Sequence, residues 1–432
     1  MKKILFVYPR FSRHAQHHPE LLDAVPMNEY LGSPSLGIAS VAAVTPDHYQ
    51  LEFWDDRIRP ADRDTDADLV ALSFFTPAAR RGLELADHFK ALGKTVVAGG
   101  IFPTMMPDEV QPHVDAVVVG EGEASWPRLL ADFEAGRLAP RYSPGGPVDL
   151  TQVPLPRVDL YFQAETETAH FDDYPVQSAR GCPLNCSACV LPTSMTRNQR
   201  GFPFEHLLGQ LDQLGAAGKR ACLTEDTGWF PGEKGRRATA RLLEHLRDHG
   251  NPAEISYVGI SMPMILSTPA HYFTLAREAG IKMFYLVGGF DPVTRGAFTG
   301  QDQKSLQRAE DAIAKCHDVG IEPYTSFLLG QDFDDLGAVD RILDFAERTR
   351  IKKAEFAIFT PYPGTPSWHQ LVAEDRIISR DWSRYNDANV VFRPAQMTPD
   401  ELLQGYLRLW REFYSVRGHL ADLPVAERTI QF

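Results

Sequence analysis

The 432-residue chain predicts an α/β fold: an N-terminal doubly wound domain of the flavodoxin/Rossmann kind, a partial (β/α)6 TIM-like barrel, and a small, mainly helical C-terminal region. Three features carry that expectation. Apolar runs alternate with helix-period segments over residues 1–140, the same alternation resumes over 173–365, and residues 141–172 between them are dense in proline and glycine. The length also exceeds what one hydrophobic core ordinarily supports, so more than one domain is expected.

In the first unit KKILFVYP, YQLEFWDD, DLVALSFF, KTVVAGG and DAVVVG read as strands, and AARRGLELADHFKALG as a helix ended by glycine. Nearly continuous apolar strands joined by helices indicate a parallel sheet covered on both faces, which binds ligands at the carboxyl ends of its strands. The stretch APRYSPGGPVDLTQVPLPRVDL is expected to be an interdomain linker. From YPVQSAR onward six strands (YPVQSAR, KRACLTE, AEISYVG, IKMFYLVGG, IEPYTSFLLG and KKAEFAIFT) alternate with five helical segments. That is the pattern of an incomplete barrel, whose chemistry sits where the strands end. Residues 366–432 finish in the amphipathic segment PDELLQGYLRLWREFYS and are expected to cap the barrel.

Composition narrows the function. With 44% apolar and 23% charged residues the chain is ordinary for a globular protein, and no apolar stretch is long enough to span a bilayer. MKKILFVYPRF lacks a small-residue cleavage site and is expected to be a buried first strand in a cytoplasmic protein. A net charge of -13 offers no footprint for a phosphate backbone, so nucleic acid is not the expected substrate. Of five cysteines, three fall within eight residues, which is not a disulfide scaffold.

Those three, in ARGCPLNCSACV, are Cys182, Cys186 and Cys189, spaced C-x3-C-x2-C directly after the first barrel strand. Thiolates so placed on one loop are the ligands of an iron-sulfur cluster, and three ligands leave one iron of a cubane open. A zinc site completed by a distant histidine, or an electron-transfer cluster with a fourth ligand elsewhere, uses the same residues. Cys222, on a strand, and Cys316, on a helix, are read as structural, and His14, His17, His18 and His170 as surface polar residues.

This motif at the end of the first strand of a partial barrel resembles the signature of the radical S-adenosylmethionine (SAM) superfamily. The resemblance implies a [4Fe-4S] cluster that binds SAM and cleaves it reductively to a 5'-deoxyadenosyl radical. The segment LTEDTGWF is similar to the family's second-strand contact to the SAM amino group, making Glu225 and Asp226 candidates. LVGGFDP resembles its glycine-acid segment, with Asp291 where a glutamate is usual, and the fifth and sixth strand ends put Ser326 and Thr360 near adenosine. Ala188 stands where the family commonly has an aromatic residue against the adenine.

VALSFFTP, VVAGGIFPT and VVVGEGEASW resemble the cobalamin (B12)-binding domain found upstream of the barrel in many such enzymes. By that resemblance Ser73, Thr76, Gly99, Gly100, Phe102, Pro103, Gly120, Glu121 and Gly122 are the corrin-binding candidates. The chain has no D-x-H-x-x-G, whose histidine would bind cobalt from below. The C-terminal run DWSRYNDANVVFRPAQMTPDELL is similar to the tail of the same group, with Tyr385, Asn386 and Asp387 either polar contacts to the substrate or residues of a loop packed on the barrel rim. The expected activity is methylation of an unactivated carbon by a radical and methylcobalamin, or ring formation, rearrangement or oxidation on the same architecture; a non-enzymatic iron-sulfur carrier is a third reading. The expected partners are a small-molecule, lipid or peptide natural-product substrate and a reductant such as flavodoxin or ferredoxin.

Overall fold

The computed structural model describes residues 1–25, 31–184, 186–223, 232–288 and 293–416. The first sheet contains β1 (Lys2–Tyr8), β2 (Tyr49–Asp55), β3 (Leu69–Ser73), β4 (Thr95–Gly99), β5 (Ala116–Val118) and β6 (Arg141–Tyr142) in the order β2-β1-β3-β4-β5-β6. Every pairing in it is parallel. Its interior strand β1 is buried from Ile4 to Tyr8 because both faces are covered. Helix Ala79–Ala91 supplies Leu85, Ala86 and Phe89 to one face.

The expected linker is more ordered than its composition suggested. β6 lies within it, at the sheet edge, where Val119 N–H donates to Tyr142 O at 2.8 Å. Prolines on either side are tolerated because only one flank of an edge strand is paired. Helix Asp159–Ala164 then packs back on the sheet: Tyr161 lies 4.9 Å from Phe53, ring to ring, and its hydroxyl donates to Ser35 O at 2.7 Å.

The barrel holds β7 (Tyr174–Val176), β8 (Ala179–Arg180), β9 (Arg200–Gly201), β10 (Ala221–Leu223), β11 (Ile255–Gly259), β12 (Met283–Gly288), β13 (Glu322–Leu329) and β14 (Lys353–Ile358). Six of these form one sheet in the order β14-β13-β12-β11-β10-β7, all parallel. YPVQSAR is not one strand: after β7 the chain leaves the sheet, and β8 pairs antiparallel with β9. Five helices cover the outside: Phe204–Ala216, Gly232–His249, Ala270–Glu278, Gln303–Asp318 and Ala338–Arg348.

The C-terminal helix Pro399–Arg411 starts with a capping box in which Thr398 Oγ1 accepts from Glu401 N–H and the Glu401 carboxylate accepts from Thr398 N–H. It buries Trp410 against Phe356 of β14, ring centroids 5.3 Å apart. The segment before it bridges the two sheets: Trp382 packs on Phe102 at 5.5 Å, and Asn386 Nδ2 donates to Ser12 O at 3.0 Å. This covers the 12–18 segment, so His18 is buried with its Nε2 2.6 Å from Ala388 O, contrary to the surface role expected of it. Among the described residues no helix is long and apolar enough to cross a membrane.

Candidate functional site

The antiparallel ribbon β8-β9 aims the cysteine loop. Gly181 has φ +91°, and a Cβ there would lie 2.4 Å from Asn198 O, so only glycine passes this point. Cys182 N–H then donates to Thr196 O at 3.1 Å, and Cys189 N–H to Cys186 O at 3.3 Å. Ser367 N–H, at the start of helix Pro366–Ala373, holds Ser187 O at 3.0 Å. Cys182 is buried, Cys186 and Cys189 are half-buried, and none is in a disulfide. Among the described residues no three or more His, Cys, Asp or Glu side chains gather as donors to one metal ion. A cubane is held by thiolates around its corners, and three cysteines on one anchored loop are the donor set it takes.

Beside this loop a cavity of about 860 Å³ opens between the two sheets, bounded by Leu191, Ser194 and Met195 just past Cys189. Its other wall is the C-terminal edge of the first sheet, with Ser73, Gly99, Gly100, Gly120, Glu121 and Gly122. Gly100 and Gly120 have φ +98° and +82°. Gly99 and Gly120 leave room that a Cβ would take, within 3.6 to 3.7 Å of Val118 and Pro144. Small residues at strand ends let backbone amides approach a bulky ligand, so this cradle fits a corrin.

Three residues expected there are elsewhere. Thr76, Phe102 and Pro103 are buried and absent from the cavity wall. After the Gly99-Gly100 turn the chain enters helix Ile101–Met105, whose inner face packs on Phe74 and Trp382. Glu121 reaches the wall, but its carboxylate is taken up by Arg180, Arg200 and the Val148 N–H. Of the SAM candidates, Glu225, Asp226 and Asp291 lie outside the described residues. Ser326 and Thr360 are buried behind the cavity, beside Glu355 and Asp387. Ala188 is buried.

Beyond Asn386 and Asp387, the barrel wall contributes residues that no motif marks. On β12 and β14 alternate residues face inward, which brings Tyr285, Glu355 and Ala357 to the cavity with Tyr362, Asn386 and Asp387. Tyr285 and Tyr324 hydroxyls donate to the two Glu355 oxygens, and Tyr362 donates to Asp387 at 3.0 Å. Burial holds Glu355 above the usual carboxylate range and pushes Asp387 up to about 6, with Glu355's charge adding to the latter. Asp387 also has φ +63°, a strained conformation of the kind found at functional sites. A lone carboxylate inside the apolar strand KKAEFAIFT was the available signal. Tyr385 is packed away, its hydroxyl on Ser379 O. Cys222 lies on the cavity floor with its thiol pushed up to about 12 by burial, consistent with a protonated side chain.

The raised Asp387 sets a pH dependence. Its folded value of about 6 exceeds the ordinary 3.8, so the ionised form is disfavoured by folding. Stability from this group is complete below about pH 4 and is lost as pH rises through about 6. Asp387→Asn, which tolerates the left-handed backbone, is expected to match the parent near pH 4 and to exceed it above pH 7 by at most about 3 kcal/mol. Thermal melts of both proteins across that range check it.

Residues 31–130 match the B12 binding domain family. The chain is 29% identical to an uncharacterized methyltransferase of Synechocystis, covering 97% of this chain and 77% of the relative. It is 26% identical to bacteriochlorophyllide d C-12(1)-methyltransferase of Chlorobaculum tepidum, over 88% of this chain and 83% of that one. Its fold matches that of the radical SAM methyltransferase TsrM of Kitasatospora setae, solved with cobalamin and a [4Fe-4S] cluster, at a TM-score of 0.66 and 15% identity over 96% of this chain and 89% of that one. Residues 31–130 thus carry a B12-binding domain, and the chain as a whole shares the fold of the radical SAM methyltransferase TsrM. In this chain the residues just past the C-x3-C-x2-C loop and the glycine cradle line the same cavity.

Proposed function

We propose that this chain is a cobalamin-dependent radical SAM methyltransferase acting on an unactivated carbon of a small molecule. The observation that carries the proposal is a cavity bounded by Leu191, Ser194 and Met195, just past the cysteine loop, on one side and by the glycine cradle on the other. Cys182, Cys186 and Cys189 would hold the cluster, and Ser73, Gly99, Gly100, Gly120 and Gly122 the corrin. SAM would lie at the cluster, with Glu225, Asp226 and Asp291 as its contacts, while Ser326 and Thr360, buried behind the cavity, would support Glu355 and Asp387. When bound, the cluster supplies the electron for reductive SAM cleavage and the corrin the methyl group.

The chain's own residues place the substrate. Glu355 and Asp387 present carboxylate oxygens to the cavity, backed by hydroxyls of Tyr285, Tyr324 and Tyr362, and so select a substrate that donates hydrogen bonds beside its reacting carbon. Phe74 and Tyr257 narrow the space and keep water from it. With a net charge of -13 the surface suits a metabolite, lipid or peptide natural product better than nucleic acid, with flavodoxin or ferredoxin as electron donor in the cytoplasm.

The test is the fate of SAM under anaerobic reduction with an accepted substrate. A methyltransferase yields S-adenosylhomocysteine and 5'-deoxyadenosine in comparable amounts. 5'-Deoxyadenosine alone would assign the chain to ring formation, rearrangement or oxidation, and intact SAM to an electron carrier.

A further inference from the structure

The residue before the cysteine loop is tied to the corrin-side domain. Arg180 ends β8, two positions ahead of Cys182, and its side chain is 8% exposed. Its Nη1 lies 2.7 Å from Glu123 and 3.2 Å from Glu121, both on the loop after β5, and its Nε donates to Gln177 at 2.9 Å. Arg200 stands directly opposite Arg180 in the β8-β9 ribbon and holds Glu121 through Nη1 and Nη2, each at 3.0 Å. The four charges balance, and the two acids are contributed across the domain boundary.

Two features make this a device for geometry. Like charges directly opposite one another in a ribbon repel, so β8-β9, which delivers Cys182, closes comfortably only with Glu121 between its arginines. A buried ion cluster is also weak evidence for stability, because desolvation offsets the attraction, whereas its bidentate contacts fix relative position. Glu121 sits between Gly120, at φ +82°, and Gly122, where a Cβ would lie 2.6 Å from Val41 Cγ1, so the acid is held on the same turn that lines the cavity.

We propose that Arg180 is a positioning residue that, through Glu121 and Glu123, locks the cysteine loop to the Gly120–Gly122 turn and so sets the distance between cluster and corrin. This rests on the cofactor assignment proposed above. It also gives the two acids a role in joining the domains and not in contacting a ligand.

The test needs no substrate. The holoenzyme is reconstituted anaerobically with iron, sulfide and hydroxocobalamin, then reduced until both the cluster and cobalt(II) are paramagnetic, and their spin-spin interaction is read by electron paramagnetic resonance. The parent is expected to show one defined interaction. Arg180→Gln is expected to keep iron and corrin per chain while that interaction spreads into a broad distribution, and Arg180→Lys to restore it in part. If Arg180→Gln does not retain its cluster, Glu123→Gln, which leaves the Arg180–Glu121 pair, is read instead, and a broadened interaction is again expected. An interaction as sharp in these variants as in the parent overturns the positioning role and leaves the cofactor assignment intact. A parent that binds no corrin, or no cluster, overturns both.

Discussion

Alanine at Cys182, Cys186 or Cys189 is expected to bring retained iron close to zero and to lower reductive SAM cleavage by at least about 1,000-fold, more than about 4 kcal/mol of barrier. On the proposed assignment each thiolate would be one of three protein ligands to the cluster, and losing one would open a second iron to water and oxygen. The fold should survive. Cys186 and Cys189 are half-buried, and although Cys182 is buried, removing its sulfur to leave a methyl group costs about 1 kcal/mol. The control is Cys316→Ala. That thiol lies on helix Gln303–Asp318, donates to Ala312 O at 3.3 Å and is pushed up to about 12 by burial, so its loss should leave iron per chain unchanged. Iron and sulfide assays with melting curves on the four variants check the set, and a Cys186 or Cys189 variant retaining a full cluster would contradict the assignment.

Gly100→Ala carries the second large effect, on the other half of the site. At φ +98° a side chain is strained before any contact is considered, and its Cβ would lie 2.8 Å from Phe74 O and 3.0 Å from Phe74 N. Those atoms are engaged: Phe74 N–H donates to Gly99 O and Phe102 N–H to Phe74 O, each at 3.2 Å. The ends of β3 and β4 must therefore separate, and a destabilisation of about 2–4 kcal/mol with loss of corrin retained after desalting is expected. Gly136→Ala separates strain from collision. It has φ +64° with nothing within 4 Å of its Cβ, so it should cost about 1 kcal/mol and leave corrin binding alone. Equal effects of the two would remove the steric argument.

How far the sequence could be read depended on the range of the interactions. Apart from β6, the strands of both sheets follow from local apolar runs, and the cysteine loop from a motif eight residues long, so these were legible. β6 was not, because two residues between prolines carry no period. Nor was the departure of β8 from β7, since YPVQSAR is continuous in hydropathy. Phe102 and Pro103 sit in a segment that looks like a ligand loop, yet the helix they begin turns them into the core, where Phe102 meets Trp382, 280 positions later in the chain. Glu121 resembles a ligand contact in the same way, and its real partners lie 59 and 79 residues away. Glu355 and Asp387 come together only through strand β14 and the C-terminal segment, which no local pattern foretells.

The most direct measurement of the central claim is the cofactor content of the protein after anaerobic reconstitution with iron, sulfide and cobalamin, followed by desalting. The account predicts one [4Fe-4S] cluster and one corrin retained per chain, with corrin absorption bands still present over the cluster's broad absorption. Protein that emerges with zinc on its thiolates, or with a cluster and no corrin, would contradict it.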